Sequence, residues 1–327
     1  MELIAEVPLH DGRRMAVYRF VPPDAQAGEE VSRLLGHKGE PFKWQIQQCL
    51  AGATSGMDSL FHVGRVDGQL VGNATVFRNG SMGCLAHVFT MPQWRRLGVA
   101  RAVLNHAMAQ FEATGGSIMV LGTGFDSMPW HLYEQLGFVG ISPQERYGGM
   151  ARFLGGATWE DAFPASDAEV QPADWRHFVG AQVLFGSPSR QQMRSMHLPC
   201  AGRRFVEGQF ARLMSRQAVG KAPLAWVLEG PERSVLGMAL LGRSPLWNGL
   251  ARREVLDIYW HDAAGAQAGA LAATAIAAAA GPLECYVDDA SGPRISLLHD
   301  LGFREQRFTG ALKADGSPMD LVIMARD

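Results

Sequence analysis

The chain has 327 residues, of which 47% are hydrophobic and 19% are charged, and its formal net charge is −2. This composition excludes global disorder, and the near balance of charge argues against a general binder of duplex nucleic acid. The length favours two domains, because a domain takes roughly 150 residues.

The cysteines, the first residues and one uncharged stretch indicate the cellular compartment. The four cysteines lie far apart and form no CxxC pair, which predicts reduced thiols and no metal site. Acidic Glu2 and Glu6 stand where a signal peptide needs positive charge. The uncharged stretch Ala263–Gly281 is mostly Ala and Gly, too weakly apolar for lipid, and predicts a buried helix instead. We therefore expect a cytoplasmic protein with no membrane partner.

Hydrophobic periodicity and turn signals predict strands and helices throughout the first half of the chain. Asp67-Gly68 between two apolar runs is a strong signal for a tight hairpin. The predicted strands are Met15–Phe20, Leu60–Val66, Gln69–Phe77, Cys84–Thr90, Ile118–Leu121, Phe138–Ile141 and Met150–Leu154. The predicted helices are Ala25–Leu35, Pro41–Leu50, Gly98–Ala113 and Pro129–Leu136.

The same order of elements returns after a stretch rich in Gly, Pro, Ala and Asp, which we interpret as a linker. The predicted helices of the second half are Trp175–Leu184, Arg204–Arg216, the Ala-rich segment and Ile295–Leu301. The predicted strands are Leu224–Leu228, Val235–Leu241, Val255–Trp260, Leu283–Val287 and Leu321–Met324.

Two short motifs recur at one spacing. Leu136-Gly137-Phe138 returns 165 residues later as Leu301-Gly302-Phe303, and Val71-Gly72 returns at the same distance as Leu236-Gly237. Matching motifs within one order of elements predict an internal duplication. We expect an N-terminal domain over residues 1–157 and a C-terminal domain over residues 165–327.

One segment of the first half suggests chemistry. After the strand that ends at Thr90, a short loop leads into a helix that opens with the pattern Arg-x-x-Gly-x-Ala. A helix N-terminus offers unpaired N–H donors and a positive dipole end. Gly98 and Ala100 let the backbone approach a ligand, and neighbouring arginines add positive charge. The segment predicts a diphosphate site; an ordinary helix start with solvated arginines is the alternative.

The arginine motif Arg95-Arg96-Leu97-Gly98-Val99-Ala100, followed by Leu132-Tyr133-Glu134-Gln135-Leu136-Gly137-Phe138, resembles the GNAT superfamily of N-acetyltransferases. The resemblance covers roughly residues 13–154. It implies an α/β fold with two tandem GNAT-fold domains, each a mixed, mostly antiparallel sheet flanked by helices. It also implies acetyl-CoA, or another short acyl-CoA, as co-substrate, and no metal.

The resemblance further assigns residues to roles. It implies that the binding residues for acyl-CoA are Val88, Phe89, Thr90, Arg95, Arg96, Leu97, Gly98, Val99, Ala100, Arg101 and Asp126. The family commonly has Asn near Asp126, and a carboxylate there cannot donate as an amide does. Tyr133 matches the residue that often protonates the departing CoA thiolate, although a tyrosine packed between helix and sheet is the alternative.

Two histidines are candidates for further catalytic roles. His87 lies near the strand position where the family often has a glutamate base; a buried strand histidine, with water as the base, is the alternative. His131 is either a solvated helix residue or points into the acyl site. GNAT-like decarboxylases of malonyl thioesters share the fold, and a pair of His131 with Thr90, with Arg146 as a carboxylate clamp, would suit that reaction.

The second half lacks these features. The position equivalent to Tyr133 is Leu298, and no Lys or Arg occurs from Glu254 through Pro293. Asp262 would repel a diphosphate there. We therefore expect a degenerate, structural C-terminal copy. The whole chain is expected to be an N-acyltransferase, monomeric or homodimeric, that moves acetyl from acetyl-CoA to a small-molecule amine; a malonyl thioester decarboxylase and a non-catalytic CoA-binding module are the alternatives.

Overall fold

A computed structural model describes residues 1–164, 167–243, 253–312 and 318–327, with the backbone alone over residues 307–312 and 318–319. The chain forms two compact units. The first unit consists of residues 1–139 and 150–157, and the second of residues 140–149 and 158–327. Residue 165, where the second domain is predicted to begin, lies outside the described residues.

The first sheet has eight strands in the order β1-β2-β3-β4-β5-β6-β8-β7. The strands are β1 (Glu2–Pro8), β2 (Arg14–Phe20), β3 (Asp58–Val66), β4 (Gln69–Asn79), β5 (Met82–Thr90), β6 (Ile118–Gly122), β7 (Val139–Gly140) and β8 (Gly149–Phe153). The helices are α1 (Ala25–Leu34), α2 (Phe42–Leu50), α3 (Val99–Ala113) and α4 (Met128–Glu134). Strand β1 was not predicted, because all its side chains are exposed or half-buried and it lies at the edge of the sheet.

The second sheet has seven strands in the order β16-β17-β15-β14-β13-β12-β9. The strands of the second half are β9 (Glu169–Pro172), β10 (Met193–Ser195), β11 (Cys200–Ala201), β12 (Leu224–Glu229), β13 (Val235–Arg243), β14 (Glu254–Trp260), β15 (Leu283–Asp288), β16 (Arg304–Leu312) and β17 (Pro318–Arg326). The helices are α5 (Phe178–Gly186), α6 (Glu207–Gln217), α7 (Ala268–Ala277) and α8 (Gly292–Asp300). The Ala-rich helix α7 is thus shorter than the uncharged stretch, and β10 and β11 form a separate two-stranded hairpin.

The two sheets share one strand order. From β2 onward the first sheet runs β2-β3-β4-β5-β6-β8-β7, and the second runs β9-β12-β13-β14-β15-β17-β16. Strand β1 is therefore the one strand of the first sheet without a counterpart among the described strands of the second. The recurring glycines agree in conformation: Gly137 after α4 has φ 84° and Gly302 after α8 has φ 85°. Both stop a helix in the left-handed region, where a side chain is strained.

A second pair of glycines brings a helix close to each sheet. A Cβ atom at Gly72 of β4 would lie 2.7 Å from Val99 of α3, and one at Gly237 of β13 would lie 3.1 Å from Leu271 of α7. Helix α3 begins at this contact and buries Val99 and Val103 against the sheet. The start of α3 is thereby fixed beside the end of β5, which pairs with β4.

Two further findings concern the length and polarity of the helices and the state of the cysteines. None of the helices in the described ranges is long and apolar enough to cross a membrane. All four cysteines are buried and belong to no disulfide. Burial raises the pKa of Cys49, Cys200 and Cys285 to about 12, so these thiols stay protonated and unreactive near neutral pH.

Candidate active site

Strand β5 carries a bulge in the middle of the first sheet. Asn73 of β4 pairs with Phe89, whereas Thr75 pairs with Ala86, so β5 has one residue more than β4 between these two pairs. His87 lies in this bulge with φ 51°. The buried Asn73 side chain donates a hydrogen bond of 2.9 Å to the His87 carbonyl oxygen. That bond satisfies a carbonyl that the irregular strand leaves out of the ladder.

On its other side, β5 separates from its parallel neighbour β6. The ladder between them holds only the pairs Met82–Ile118, Gly83–Met119 and Cys84–Val120. Beyond Cys84 the two strands diverge, and the backbone of residues 85–90 has no ladder partner on that side among the described residues. Such a gap exposes strand N–H and C=O groups that an extended ligand chain can bind.

The arginine loop follows the end of β5. A 3₁₀ turn over Pro92–Trp94 precedes Arg95, and Arg96 has φ 62°. Gly98, with φ 91°, caps helix α3, which is 15 residues long and has no acidic residue in its first turn. A long helix directs its free N–H groups and the positive end of its dipole towards this loop.

A cavity of about 650 Å³ connects the strand gap, the loop and the start of α3. It is lined by His10, Val88, Phe89, Thr90, Trp94, Arg95, Arg96, Gly98, Val99, Ala100, Arg101, Met128, Pro129, His131, Leu132, Tyr133 and Gln135. Most of the residues predicted to form the site thus lie together. His87, Leu97 and Asp126 are not among the lining residues.

The three arginines of the loop and helix start remain accessible to a ligand. Arg95, Arg96 and Arg101 are all exposed. Arg95 donates a hydrogen bond of 3.3 Å to the Thr90 carbonyl oxygen, and Arg101 donates one to the side-chain oxygen of Gln135. Their guanidinium groups therefore concentrate positive charge at one end of the cavity.

Tyr133 is the phenol predicted to act on the thiolate. It lies in α4, is 6% exposed, and packs against Phe138 with ring centroids 5.9 Å apart. The tyrosine thus both packs between helix and sheet and lines the cavity. The two interpretations of this residue do not exclude each other.

His131 is held by two carboxylates. Its Nδ1 lies 2.8 Å from Glu134 and its Nε2 lies 3.0 Å from Asp126. The hydrogen bond to Glu134, followed by the charges of both carboxylates, raises the pKa of His131. The ring is therefore stabilised as an imidazolium, with both nitrogens used as donors. It does not pair with Thr90, whose hydroxyl is buried without a hydrogen-bond partner among the described residues.

His87 is enclosed on the other face of the strand. Its ring packs edge-on to Phe42 of α2 and Phe77 of β4, with centroids 6.0 and 5.6 Å away. Burial, with a smaller contribution from the charge of Lys38, lowers the pKa of His87 to about 3. The imidazole is therefore neutral near physiological pH, and the structure does not bring it into the cavity.

His10 lines the cavity but was not predicted as a site residue. It lies in the turn between β1 and β2, and it lines the cavity beside the arginine loop. The sequence did carry a signal, because Asp11-Gly12 before the strand at Met15 is a hairpin pattern. Arg13 of the same turn lies over the Trp94 ring, 4.0 Å from its centroid.

The corresponding gap of the second sheet is filled by the chain itself. Strands β14 and β15 pair only at Glu254–Leu283 and Val255–Glu284. Strand β10 contacts both of them, and Met196 shares a buried apolar cluster with Val255. In the described part of the second unit, this segment takes the place that the cavity has in the first.

Comparisons with known proteins give one family match and several similar solved structures. The family of the acetyltransferase (GNAT) domain matches residues 24–153. An N-acetyltransferase from Staphylococcus aureus Mu50 is 19% identical over 50% of this chain and 99% of that chain, with a TM-score of 0.40. An acetyltransferase from Salmonella typhimurium, solved with acetyl-CoA, is 18% identical over 49% and 94%, with a TM-score of 0.40.

A further similar solved structure contains coenzyme A. It is an N-acetyltransferase from Thermoplasma acidophilum in complex with coenzyme A, 14% identical over 42% of this chain and 98% of that chain, with a TM-score of 0.34. No curated protein matches the chain. The segment matched by the family contains the bulged strand, the arginine loop and Tyr133.

Proposed function

We propose that the first unit transfers a short acyl group, acetyl in the simplest case, from acyl-CoA to an amine of a small molecule. The observation that carries the proposal is the cavity that joins the strand gap, the arginine loop, the start of α3 and Tyr133. These parts come from four separate elements, and each offers a group suited to a different part of an acyl-CoA.

The donor set fits the charge of the co-substrate. Arg95, Arg96 and Arg101 supply three cations, and the start of α3 supplies N–H donors without an acidic side chain in its first turn. A diphosphate is bound well by such an arrangement. The peptide-like pantetheine arm can hydrogen-bond to the strand backbone of residues 85–90 beyond the last β5–β6 pair.

The reaction needs one attack and two proton transfers. The free amine attacks the thioester carbonyl carbon, a C–N bond forms, and the C–S bond breaks to release the thiolate. We assign Tyr133 as the acid that protonates the sulfur, because its ring lines the cavity and a phenol is a competent donor. The strand N–H groups stabilise the developing oxyanion.

The proton of the attacking amine goes to water in this proposal. His87 is enclosed between aromatic rings, and the low pKa of about 3 makes it a weak base. His131 has both ring nitrogens bound to carboxylates, so it has no free lone pair for a proton. Neither candidate histidine therefore acts as the general base.

A second cavity supports a small-molecule acceptor. It has a volume of about 530 Å³, within the usual range for small-molecule sites, and is formed under α1 by side chains that include Glu30, Arg33 and Arg65. Phe89 lines this cavity as well as the first one. An acceptor bound there would lie beside Phe89 of β5.

The second unit has a structural role in this proposal, as a tandem copy that binds no acyl-CoA. The support is the filled gap between β14 and β15. A malonyl thioester decarboxylase is not favoured, because His131 is bound to carboxylates instead of Thr90. Arg146, the expected clamp, is not among the residues that line the cavity.

The test combines binding with turnover. Calorimetry of the full chain with CoA should give one site per chain. Incubation with acetyl-CoA and a panel of small amines should then release free thiol and an acetylated amine of matching mass. Incubation with malonyl-CoA should leave the malonyl group intact. Absence of CoA binding contradicts the site, and CoA binding without transfer to any amine leaves the non-catalytic binding module as the better description.

A further inference from the structure

The turn between β1 and β2 is attached to the arginine loop through His10. The backbone N–H of His10 donates to the Leu97 carbonyl oxygen at 3.1 Å. The imidazole Nδ1 lies 3.1 Å from the Arg96 carbonyl oxygen. A carbonyl can only accept, so Nδ1 carries the proton in this bond. Two successive peptide groups of the loop are therefore held by one residue of the turn.

The other ring nitrogen points to the start of helix α3. A Cβ atom built at Gly98 would lie 3.2 Å from Nε2 of His10, which is the nearest atom to that position. No described residue hydrogen-bonds to Nε2, and His10 is exposed and lines the cavity. The free nitrogen thus lies beside the helix cap where we place the diphosphate.

We propose that His10 is a phosphate-binding residue of the acyl-CoA site, with Nδ1 fixed on the loop and Nε2 donating to a phosphate oxygen. This inference rests on the proposed function, since it assumes that acyl-CoA occupies the cavity. In the bound complex both ring nitrogens donate, and the imidazolium adds a fourth positive charge to those of Arg95, Arg96 and Arg101.

The architecture supports this role. Strand β1 has no counterpart in the described strands of the second sheet, so the turn that carries His10 occurs only beside the open cavity. The turn is itself braced, because Arg13 stacks on Trp94 and its Nε donates to Asp11 at 2.8 Å. Arg13 is thereby neutralised by Asp11, which leaves His10 as the residue of the turn that faces the ligand.

The two ring nitrogens can be tested separately by amide substitutions. His10→Asn places an amide near the position of Nδ1, which keeps the bond to the Arg96 carbonyl and removes the donor at Nε2. His10→Gln extends its amide to the position of Nε2 and keeps the phosphate donor. His106→Asn, in the middle of α3 and outside the cavity lining, is the matched control. The measurements are the Kd of CoA by calorimetry and the melting temperature of each variant.

We expect His10→Asn to weaken CoA binding about tenfold, the size of one hydrogen bond to a charged group. Its melting temperature should stay with that of the control, and His10→Gln should bind CoA more tightly than His10→Asn. Wild-type affinity in His10→Asn would overturn the inference, since the residue would then only hold the loop. A wild-type chain that binds no CoA would instead overturn the proposed function itself.

Discussion

The two gaps between parallel strands show that one strand order can leave a cavity open or have it filled by the chain. In the first sheet β5 and β6 separate after Cys84, and the gap opens into the cavity. In the second sheet β14 and β15 separate after Val255, and the hairpin strand β10 contacts both strands. The divergence of the strands alone therefore does not make a ligand site.

The polar groups of the second gap are satisfied by the chain. The His197 ring donates to the Val255 carbonyl oxygen at 3.0 Å, and Arg294 donates to the Ile258 carbonyl oxygen at 2.9 Å. These two β14 carbonyls are thus bound by side chains of the same unit. In β5 residues 85–90 have no ladder partner on the side of β6 among the described residues.

The arginine side chains near the two gaps also differ in their surroundings. Arg294 is 1% exposed and lies 3.6 Å from the fully buried Asp288, whereas Arg95 and Arg96 are exposed at the mouth of the first cavity. A buried, paired guanidinium stabilises its own surroundings, and an exposed one is free to bind an anion. The placement of the charged side chains therefore distinguishes the two gaps, whereas the strand order does not.

Removing the carboxylate of Asp288, which binds the segment that fills the second gap, should have the largest effect on stability. Asp288 accepts hydrogen bonds from the backbone N–H groups of Gln192 and Met193 at 2.8 and 2.7 Å. Asp288→Ala would leave both donors and the buried Arg294 without their carboxylate, so we expect a loss of about 3–5 kcal/mol in the free energy of unfolding. Urea unfolding measures it, with Asp289→Ala, an exposed neighbour, as control.

The same variant tests whether the filled gap of the second unit affects CoA binding. CoA affinity of the Asp288→Ala chain should equal that of wild type under conditions where both are folded. Equal stability of the Asp288→Ala and Asp289→Ala chains would contradict this prediction, because the filled gap would then not depend on Asp288.

The next effect concerns the chemistry of the first gap. Tyr133→Phe removes only the hydroxyl, so we expect kcat to fall about a hundredfold, the usual contribution of a general acid, with an unchanged Kd for CoA. Thiol release with the acceptor found in the amine panel measures kcat. Tyr18→Phe, a half-buried tyrosine of β2, is the matched control. A wild-type kcat for Tyr133→Phe would assign this tyrosine to packing alone.

A lower pH should reduce the stability of the first unit, because His87 is buried in its neutral form. Burial holds the pKa of His87 at about 3 in the folded chain, and the unfolded chain takes up the proton below about 6.5. The unfolded state therefore binds more protons between these pH values, and stability falls as pH decreases through this window. Relative to neutral pH, we expect His87 to account for a loss of about 2 kcal/mol at pH 5.

His87→Gln, which cannot take up that proton, should flatten the curve of unfolding free energy against pH. His106→Gln serves as the control and should keep the wild-type slope. Because His87 contacts Phe42 and Phe77 within the first unit, CoA binding should be lost along the same acid curve. Parallel curves for wild type and His87→Gln would show that the ring is not the titrating group.

The strand, loop and helix of the site could be predicted because their signals are local. The strand predicted over 84–90 is β5, and Gly98 stands at the start of the predicted helix because only glycine suits φ 91° there. Gly137 likewise ends α4. Each of these features is decided by residues that are neighbours in sequence.

The features that could not be predicted depend on distant contacts. The face to which His87 points is set by the bulge in β5 and by Phe42 of α2. The role of His10 depends on a contact with Arg96, which is 86 residues away. Strand β10 has only three residues, and its place beside β14 is decided by tertiary packing, so it leaves no periodic signal.

The smallest of the expected effects is the most direct test of the charge argument. Arg96→Ala should weaken CoA binding about tenfold, because one charge-assisted hydrogen bond to a phosphate is lost.

The reverse change, Asp262→Arg, adds a cation before α7 of the second unit, where the sequence has an acid. Calorimetry should still give one CoA site per chain for Asp262→Arg, because β10 and Arg294 continue to fill the gap. A second CoA site in Asp262→Arg would show that the missing positive charge, and not the filled gap, prevents the second unit from binding CoA.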